Sequence, residues 1–281
     1  MESYIKKIIR RALDEDIQTG DVTTQAVIPV SVLGKGKFLV KASGVIAGLN
    51  VVKNVFEMID DKTGYKVLIQ DGEKVNVGDV AAEVEGKASS ILTAERTALN
   101  FLQRMSGIAT LTNNFVEKIK HTKASILDTR KTVPGLRLLD KEAVKLGGGK
   151  NHRIGLFDMF LIKDNHIEIA GSITNAVNTC REFQQKKNSN LKIEVETKNL
   201  EEVKEALSCY VDIIMLDNFK TDFMKKAVTL INGKCLVEVS GNINIENVKE
   251  IAETGVDFIS VGALTHSVKV LDISLEVELL K

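Results

Sequence analysis

The feature of this sequence that most constrains its fold is a regular alternation of short apolar runs with helical patterns through its second half. Helical patterns fill most of the gaps between the runs, as at 201–207 and 245–253. Strands that alternate with helices form βα units with a parallel sheet, and their number and spacing favour a (β/α) barrel over an open doubly wound sheet. The strand-like runs cover 124–128, 159–163, 192–196, 212–217, 235–240 and 257–262.

The first part of the chain has a different rhythm, with short alternating runs separated by turn residues. The patterns predict a helix over 4–13, strands over 36–42 and 65–69, a short helix over 51–58, and a long helix over 92–119. We therefore expect an α+β domain over residues 1–110 and a barrel domain over 111–266. The tail, 267–281, is expected to return to the first domain.

Charge and cysteine content narrow the class of protein. Thirty-eight basic residues balance thirty-eight acidic ones, which argues against a nucleic-acid binder that works by neutralising phosphates. No apolar run reaches the roughly 18 residues of a membrane span, and the amino-terminal stretch lacks the apolar core of a secretory signal. Three cysteines without metal-ligand spacing favour core positions and a reducing compartment. We expect a cytoplasmic protein.

Polar residues follow nearly every predicted strand of the second half, and the carboxyl ends of barrel strands meet on one face. The ends of the early strands and the loops near them supply cations, which bind the carboxylates of a ligand. Later ends supply carboxylates for a divalent metal or sugar hydroxyls, and the last two supply small residues that suit a phosphate. Together they predict a polyacidic small molecule, a metal and a phosphorylated sugar. The segments are 128–132, 147–153, 163–166, 194–196, 217–218, 240–242 and 261–263.

At these residues the chain resembles the quinolinate phosphoribosyltransferases, and the resemblance covers essentially its whole length. The matching segments occur in the family's order. They are Glu15–Ile17, Gly20–Thr24, Thr93–Asn100, Ser106–Thr110, Asp128–Arg137, Gly147–Arg153, Leu161–His166, Glu194–Glu196, Met215–Phe219, Ser240–Gly241 and Val261–Ser267. One departure is Asn242, where many relatives have glycine.

The resemblance implies an N-terminal α+β sandwich domain plus an open, incomplete α/β barrel. It implies a glycosyltransferase of NAD biosynthesis that moves the phosphoribosyl group of phosphoribosyl pyrophosphate onto quinolinate. Decarboxylation then gives nicotinate mononucleotide, pyrophosphate and CO₂, with Mg²⁺ required. It also implies a homodimer, or an assembly of dimers, in which one subunit caps its partner's barrel.

The same resemblance implies roles for individual residues. Arg130, His152, Arg153 and Lys163 would hold the quinolinate carboxylates, and Arg96 would reach the same ligand from the neighbouring subunit. Lys131 would lie at the pyrophosphate side of the donor. Glu196 and Asp217 would hold the ribose hydroxyls and the Mg²⁺-bound donor. The 5′-phosphate would be held by Ser240, Gly241, Gly262 and Ala263.

Several residues also have simpler interpretations. Arg137 fits a solvated surface charge slightly better than a ligand contact, and His166 is as well explained by a bond to nearby backbone. Gly147 is expected to end a helix before His152. Asp217 could cap a helix instead of binding ligand. Glu194 is expected either to face away from Glu196 or to lie deeper in the barrel. His121 and His266 are expected to be structural.

Two other functions remain open at this point. A phosphoribosyltransferase associated with molybdenum transport has the same architecture, although the complete cationic set favours quinolinate. Residues 71–79 resemble one hairpin of a biotinyl or lipoyl carrier domain, but no convincing modifiable lysine at a hairpin tip accompanies them.

Overall fold

The computed structural model describes residues 2–280. Along the chain to residue 119 the elements are α1 (Glu2–Ile17), α2 (Val22–Val27), β1 (Leu33–Val40), β2 (Gly44–Val45), α3 (Leu49–Ile59), β3 (Gly64–Val67), β4 (Lys74–Val75), β5 (Val80–Lys87) and α4 (Ala88–Ile119). From there they are β6 (Ser125–Leu127), α5 (Arg137–Leu146), β7 (Phe160–Ile162), α6 (Asp164–Ala170), α7 (Ile173–Lys187), β8 (Ile193–Thr197), α8 (Leu200–Ser208), β9 (Ile213–Asp217), α9 (Thr221–Ile231), β10 (Leu236–Ser240), α10 (Val248–Ala252), β11 (Phe258–Ser260), α11 (Ala263–His266) and β12 (Ile273–Leu279).

The chain separates into two compact units, and each contains more than one segment. The first unit comprises residues up to 113, then 132–148, and the tail from 265 onward. The second comprises 114–131 and 149–264. Among the described residues, no helix is long and apolar enough to cross a membrane.

The first unit is built on a four-stranded antiparallel sheet in the order β12-β1-β5-β3. The tail strand pairs with β1 from Gly34 opposite Leu279 to Val40 opposite Ile273, so the end of the chain lies in the N-terminal sheet. Inward residues of β1 are fully buried, and Phe38 packs edge-on against an α3 ring, Phe56, at 6.1 Å between ring centroids. Along β1, buried positions alternate with partly exposed ones, as expected for a strand with one face against the core.

The turn at 71–79 belongs to this first unit and stabilises its helix α3. Asp71 Oδ1 accepts hydrogen bonds from the backbone N–H groups of Gly48 and Leu49, at 2.8 and 3.0 Å. These groups have no partner inside the helix, so the carboxylate caps its first turn. Strand β4, which lies within the turn, pairs with β2.

Residues 132–148 fall inside the range predicted for the barrel, but they group with the first unit. Arg104 of α4 holds the buried carboxylate of Asp140 with two hydrogen bonds, at 2.9 and 2.8 Å. Gly147, which ends α5 as expected, lies so close to α4 that an added Cβ would stand 2.4 Å from the carbonyl oxygen of Ala109. These contacts join α5 to α4 and explain the grouping.

The second unit is a six-stranded parallel sheet in the order β6-β11-β10-β9-β8-β7. A closed barrel of these strands would pair β6 with β7, but among residues 2–280 these two strands form the edges of the sheet. Lys150 makes a parallel bridge to Leu127 at the outer side of β6. The fold is therefore the predicted α/β architecture, with an antiparallel sheet unit and an open barrel.

Candidate active site

One face of the second unit's sheet carries most of the predicted polar residues. Met215 in β9 stands opposite both Glu196 of β8 and Glu238 of β10, and Asp217 stands opposite Ser240. Because paired residues share a face and side chains alternate along a strand, six polar residues point to the same side. They are Glu194, Glu196, Asp217, Glu238, Ser240 and Ser260.

The deepest polar residues on this face form a cluster around His152. Its Nε2 lies 3.0 Å from Glu194 Oε2 and 3.5 Å from Glu238 Oε2. Its backbone N–H donates to the buried Asp128 carboxylate at 2.9 Å. Both glutamates are completely buried and the histidine side chain is 8% exposed. We call His152, Glu194, Glu238 and Ser260 the deep cluster.

Burial dominates the acid–base properties of the deep cluster. It raises the pKa of Glu194 to about 7, while the nearby Glu238, Arg153 and Lys163 oppose the shift. Burial also raises the pKa of Glu238 to about 8, and the adjacent Glu194 charge raises it further. The Ser260 hydroxyl donates to Glu238 Oε1 at 2.6 Å. Burial and the approach of both carboxyls to the same His152 nitrogen therefore oppose the ionisation of both together.

Cations are concentrated on the early-strand side of the site. Burial and the neighbouring charge of Arg130 lower the pKa of Arg153, in that order of importance. Arg153 also donates to the carbonyl oxygen of Met159 at 3.2 Å. Two guanidinium groups that repel each other in a partly buried place are stabilised by an anion with more than one charge.

The mouth of the site contains a close ion pair. Lys163, at the end of β7, places Nζ 2.6 Å from Glu196 Oε2. The lysine side chain is 46% exposed, whereas that of Glu196 is 10% exposed. We call Lys163, Glu196 and Asp217 the mouth group, since all three lie at the carboxyl ends of their strands.

Asp217 does not cap a helix. Helix α9 begins at Thr221 with Lys220 at its N-cap, so Asp217 ends its strand well before the helix. Its Oδ2 accepts a hydrogen bond from the side chain of Asn218 at 2.9 Å. The carboxylate is therefore available for the ligand role predicted at the strand end.

The turn after β10 brings its backbone close to Asn218. Gly241 has a φ of 99°, and an added Cβ would stand 2.2 Å from Asn218 Oδ1, so only glycine fits without displacement. Asn242 adopts a φ of 51° and donates from its side chain to Asn218 Oδ1 at 3.0 Å. Asparagine tolerates this conformation, which accounts for the departure at Asn242.

The second segment predicted to bind phosphate lies at the same edge. Strand β11 neighbours β10 in parallel, so Gly262 and Ala263, which follow β11, lie beside Ser240 and Gly241, which end β10 and begin its turn. All four are partly exposed.

The other predicted ligand residues lie as follows. Lys131 is exposed, and its backbone N–H donates to Thr129 Oγ1 at 3.0 Å. Arg96 is exposed on α4 in the first unit. Arg137 is partly buried and donates to Thr132 Oγ1 at 3.1 Å.

The remaining histidines make local contacts. His166 Nδ1 accepts the backbone N–H of Lys163 at 2.9 Å, which is the expected backbone bond. His121 pairs with Glu253 at 3.0 Å, and His266 contacts Ser267 at 2.6 Å.

Sequence reasoning missed Glu238 and Ser260 and left Glu194 undecided between two positions. The expectation that Glu194 faces away from Glu196 is wrong, because residues two apart in a strand share a face. The alternative, a deeper position, is what the structure has. The sequence did contain a signal for Glu238, which is a charged residue inside an apolar strand. Such residues are rarely buried unless they are paired.

A metal ion could be held at two places on this face. His152, Glu194 and Glu238 offer ligand atoms that all lie within 4.8 Å of one another. Mg²⁺ prefers oxygen ligands throughout, so the carboxylates of Glu196 and Asp217 fit that ion better than a set containing an imidazole nitrogen.

Comparison with protein families agrees with the geometry. Residues 21–106 match the model of the N-terminal domain of quinolinate phosphoribosyl transferase. Residues 108–276 match the model of its C-terminal domain. The two matches together span most of the chain.

Relatives and solved structures agree over nearly the whole length. The chloroplastic nicotinate-nucleotide pyrophosphorylase [carboxylating] of Arabidopsis thaliana is 47% identical over 98% of this chain and 83% of the relative. A probable enzyme of the same name from Synechocystis sp. is 45% identical over 96% of this chain and 91% of the relative.

The structure of the nicotinate-nucleotide pyrophosphorylase from Francisella tularensis superposes with a TM-score of 0.94 at 42% identity, covering 99% of this chain and 97% of that one. The resemblance expected from the motifs is confirmed, and the chain belongs to the quinolinate phosphoribosyltransferase family.

Proposed function

We propose that this protein transfers the phosphoribosyl group of phosphoribosyl pyrophosphate to the ring nitrogen of quinolinate. Loss of CO₂ then gives nicotinate mononucleotide, with pyrophosphate as the other product. The names of relatives that are 45–47% identical over nearly the full chain support this reaction. The geometry of the second unit supports it independently.

The observation that carries the proposal is the pair of neighbouring guanidinium groups. Arg153 is partly buried near Arg130, and its burial and then the neighbouring charge of Arg130 lower the pKa of Arg153. A ligand with two carboxylates relieves that repulsion, and guanidinium groups grip carboxylates with paired hydrogen bonds. Quinolinate has two carboxylates and nicotinate has one, so this pair favours quinolinate. We assign Lys163 and His152 to the same ligand.

The donor occupies the later strands in this proposal. Glu196 and Asp217 lie at the ends of neighbouring parallel strands, where they face the ribose hydroxyls. They would also hold Mg²⁺, directly or through the donor, and an ion held there would offset the charge of the pyrophosphate. Lys131 lies at the pyrophosphate side. Ser240, Gly241, Gly262 and Ala263 hold the 5′-phosphate through backbone N–H groups.

These residues catalyse the transfer through charge and placement. Displacement at the anomeric carbon develops positive character on the ribose, and the carboxylates of Glu196 and Asp217 stabilise that charge. Once the ring nitrogen is positively charged, it stabilises the carbanion that loss of CO₂ leaves at the 2-position, and that carbon then takes up a proton from water to give nicotinate mononucleotide. The protein then has to orient and desolvate that carboxylate, which is the task of the cationic residues. No side chain acts as a nucleophile.

Quaternary structure and location complete the proposal. We assign a homodimer, or an assembly of dimers, in which Arg96 reaches the acceptor of the neighbouring subunit. Its exposure on α4 leaves it accessible for that role. We place the enzyme in the cytoplasm, a reducing compartment that suits its three free cysteines.

The experiment that tests the reaction is product analysis with the purified protein, phosphoribosyl pyrophosphate and Mg²⁺. Quinolinate and nicotinate are supplied in parallel as acceptors. We expect CO₂ and nicotinate mononucleotide from quinolinate, and loss of both in Arg130→Ala protein that remains folded. A well-folded wild-type protein that converts only another acceptor, such as nicotinate, would contradict the assignment and favour the molybdenum-associated type of transferase.

A further inference from the structure

A short loop, residues 153–159, leads into strand β7 and is closed by the side chain of its own aspartate. Asp158 Oδ2 accepts the backbone N–H of Ile154 at 2.7 Å, and Asp158 Oδ1 accepts that of Gly155 at 3.1 Å. Because a carboxylate binds an N–H group more strongly than a neutral oxygen does, these two bonds fix the shape of the loop. We call this segment the Arg153 loop.

Arg153, the first residue of the Arg153 loop, is held from the opposite end. Its Nη1 donates to the carbonyl oxygen of Met159 at 3.2 Å, and Met159 follows directly after Asp158. The carboxylate of Asp158 therefore binds main chain that follows Arg153, while the guanidinium of Arg153 binds main chain that follows Asp158. Loss of one contact weakens the other, because both close the same loop.

The tip of the Arg153 loop shows that polar contacts, and not apolar packing, hold its turn. Leu156 and Phe157 lie at the tip, and each is 73% exposed. Large apolar side chains left in water contribute little burial energy to the loop conformation. The two bonds to Asp158 are therefore the main local interaction that keeps the turn closed.

Both ends of the Arg153 loop are attached to the parallel sheet. Just before it, the backbone N–H of His152 donates to the buried carboxylate of Asp128 at 2.9 Å. Just after it, the backbone N–H of Phe160 donates to the carbonyl oxygen of Lys192 at 3.0 Å. A loop with fixed ends and a fixed turn gives the Arg153 guanidinium a defined direction.

The charge of Asp158 and its contacts have opposite effects on an anionic ligand. Burial and then the charge of Arg130 lower the pKa of Arg153, whereas the carboxylates of Glu194 and Asp158 oppose that shift. A negative charge that acts on the guanidinium also repels a dianion bound to it. By charge alone, removal of the Asp158 carboxylate would tighten the binding of such a ligand.

We propose that Asp158 is a positioning residue, which closes the Arg153 loop so that the Arg153 guanidinium faces the carboxylates of the acceptor. Asp158 acts through Arg153, since both of its carboxylate oxygens bind main-chain N–H groups. Arginine grips a carboxylate with paired bonds of fixed geometry, so binding is sensitive to the direction of the guanidinium plane. This inference rests on the proposed function only in naming quinolinate as the ligand.

Steady-state kinetics of two substitutions at Asp158 test the proposal. In Asp158→Ala both N–H contacts are lost, and we expect the KM for quinolinate to rise about tenfold. The kcat and the KM for phosphoribosyl pyrophosphate should stay within about threefold of wild type. In Asp158→Asn one side-chain oxygen remains to accept an N–H group, and we expect a KM for quinolinate about threefold above wild type.

An exposed carboxylate in the same unit supplies the control. Glu201 on α8 has an 80% exposed side chain, and Glu201→Ala should leave both KM values at the wild-type level. An unchanged or lower KM for quinolinate in Asp158→Ala would overturn the proposal, because the site would then sense at most the charge of Asp158. Equal rises in both KM values would also overturn it, since they would indicate general damage.

Nuclear magnetic resonance of the free protein gives a readout that does not depend on turnover. In protein labelled with ¹⁵N-arginine, the Nε–H signal of Arg153 is assigned by its absence in Arg153→Lys. We expect this N–H group to be ordered on the picosecond-to-nanosecond timescale in wild type and Glu201→Ala, and to lose that order in Asp158→Ala. Equal order in all three proteins would overturn the proposal. A wild-type enzyme inactive on quinolinate, with Arg153 order that still depends on Asp158, would contradict the proposed function alone.

Discussion

Glu194 and Glu196 lie two residues apart on the same face of the same strand, yet they have different environments. Glu194 is fully buried beside a histidine and a second acid. Glu196 is nearer the mouth and pairs with the half-exposed Lys163 at 2.6 Å. Two residues along the strand therefore separate a fully buried carboxyl beside a histidine from a carboxylate paired with a half-exposed lysine. Depth along the strand, more than residue type, determines what a glutamate does in this barrel.

The comparison predicts that the mouth glutamate carries most of the catalytic effect. In Glu196→Ala, loss of the carboxylate that stabilises positive charge on the ribose should lower kcat about a hundredfold or more. Steady-state assays with quinolinate measure this. The exposed carboxylate Glu201 serves as control, and Glu201→Ala should keep the wild-type kcat. A Glu196→Ala enzyme within about threefold of wild type would show that the mouth group is not catalytic.

The deep acid should instead determine how stability depends on pH. Folding raises the pKa of Glu238 to about 8 from its ordinary value of 4.5, so the folded protein keeps a proton that the unfolded chain has released. This contribution is complete below about pH 4.5 and is lost as the pH rises through about 8.

Urea unfolding at a series of pH values measures the effect. Between about pH 5 and about pH 8, wild type should lose on the order of 3 kcal/mol more of its unfolding free energy than Glu238→Gln, which has no carboxyl at this position. Parallel pH profiles for the two proteins would mean that the deep cluster does not retain a proton.

Lys163 tests whether the mouth group also holds the acceptor. Lys163→Ala removes a cation from the early-strand side, and we expect the KM for quinolinate to rise about tenfold. Lys204, an exposed lysine on α8, gives the matched control as Lys204→Ala. A fall in kcat without any change in that KM would indicate that Lys163 orients Glu196 and does not bind quinolinate.

The smallest effect is expected for Ser260, whose hydroxyl contacts the buried Glu238. Ser260→Ala removes the 2.6 Å hydrogen bond to buried Glu238 and should lower the unfolding free energy by about 1 kcal/mol, with kcat nearly unchanged. Ser274 is a control in the other unit, since its buried hydroxyl has no hydrogen-bond partner, and Ser274→Ala should cost less. Equal costs for the two variants would indicate that Ser260 does not support Glu238.

Much of the fold could be predicted from periodicity, because the barrel strands are apolar runs bounded by polar residues. The run at 212–217 contains strand β9 (Ile213–Asp217), and the run at 235–240 contains β10 (Leu236–Ser240). The grouping of 132–148 with the first unit could not be predicted in this way. It depends on the Arg104–Asp140 contact between distant positions, which no local pattern encodes.

The candidate site shows the same contrast as the two glutamates: its mouth residues could be predicted from the sequence, but its buried contacts could not. The mouth residues Lys163, Glu196 and Asp217 end their strands, so position alone marks them as ligand candidates. Glu238 lies inside a strand. Its role depends on its contacts with Glu194, two strands away, and with His152 in a loop. Sequence spacing identifies strand ends, but it does not show which buried side chains meet.

The measurement that tests the central claim most directly is a crystal structure of the protein with quinolinate bound. We expect the two carboxylates of quinolinate to contact Arg130, Arg153 and Lys163 at the carboxyl ends of the barrel strands, with the ring next to His152. Quinolinate bound elsewhere on the molecule, or no binding to well-folded protein at saturating concentration, would contradict the account.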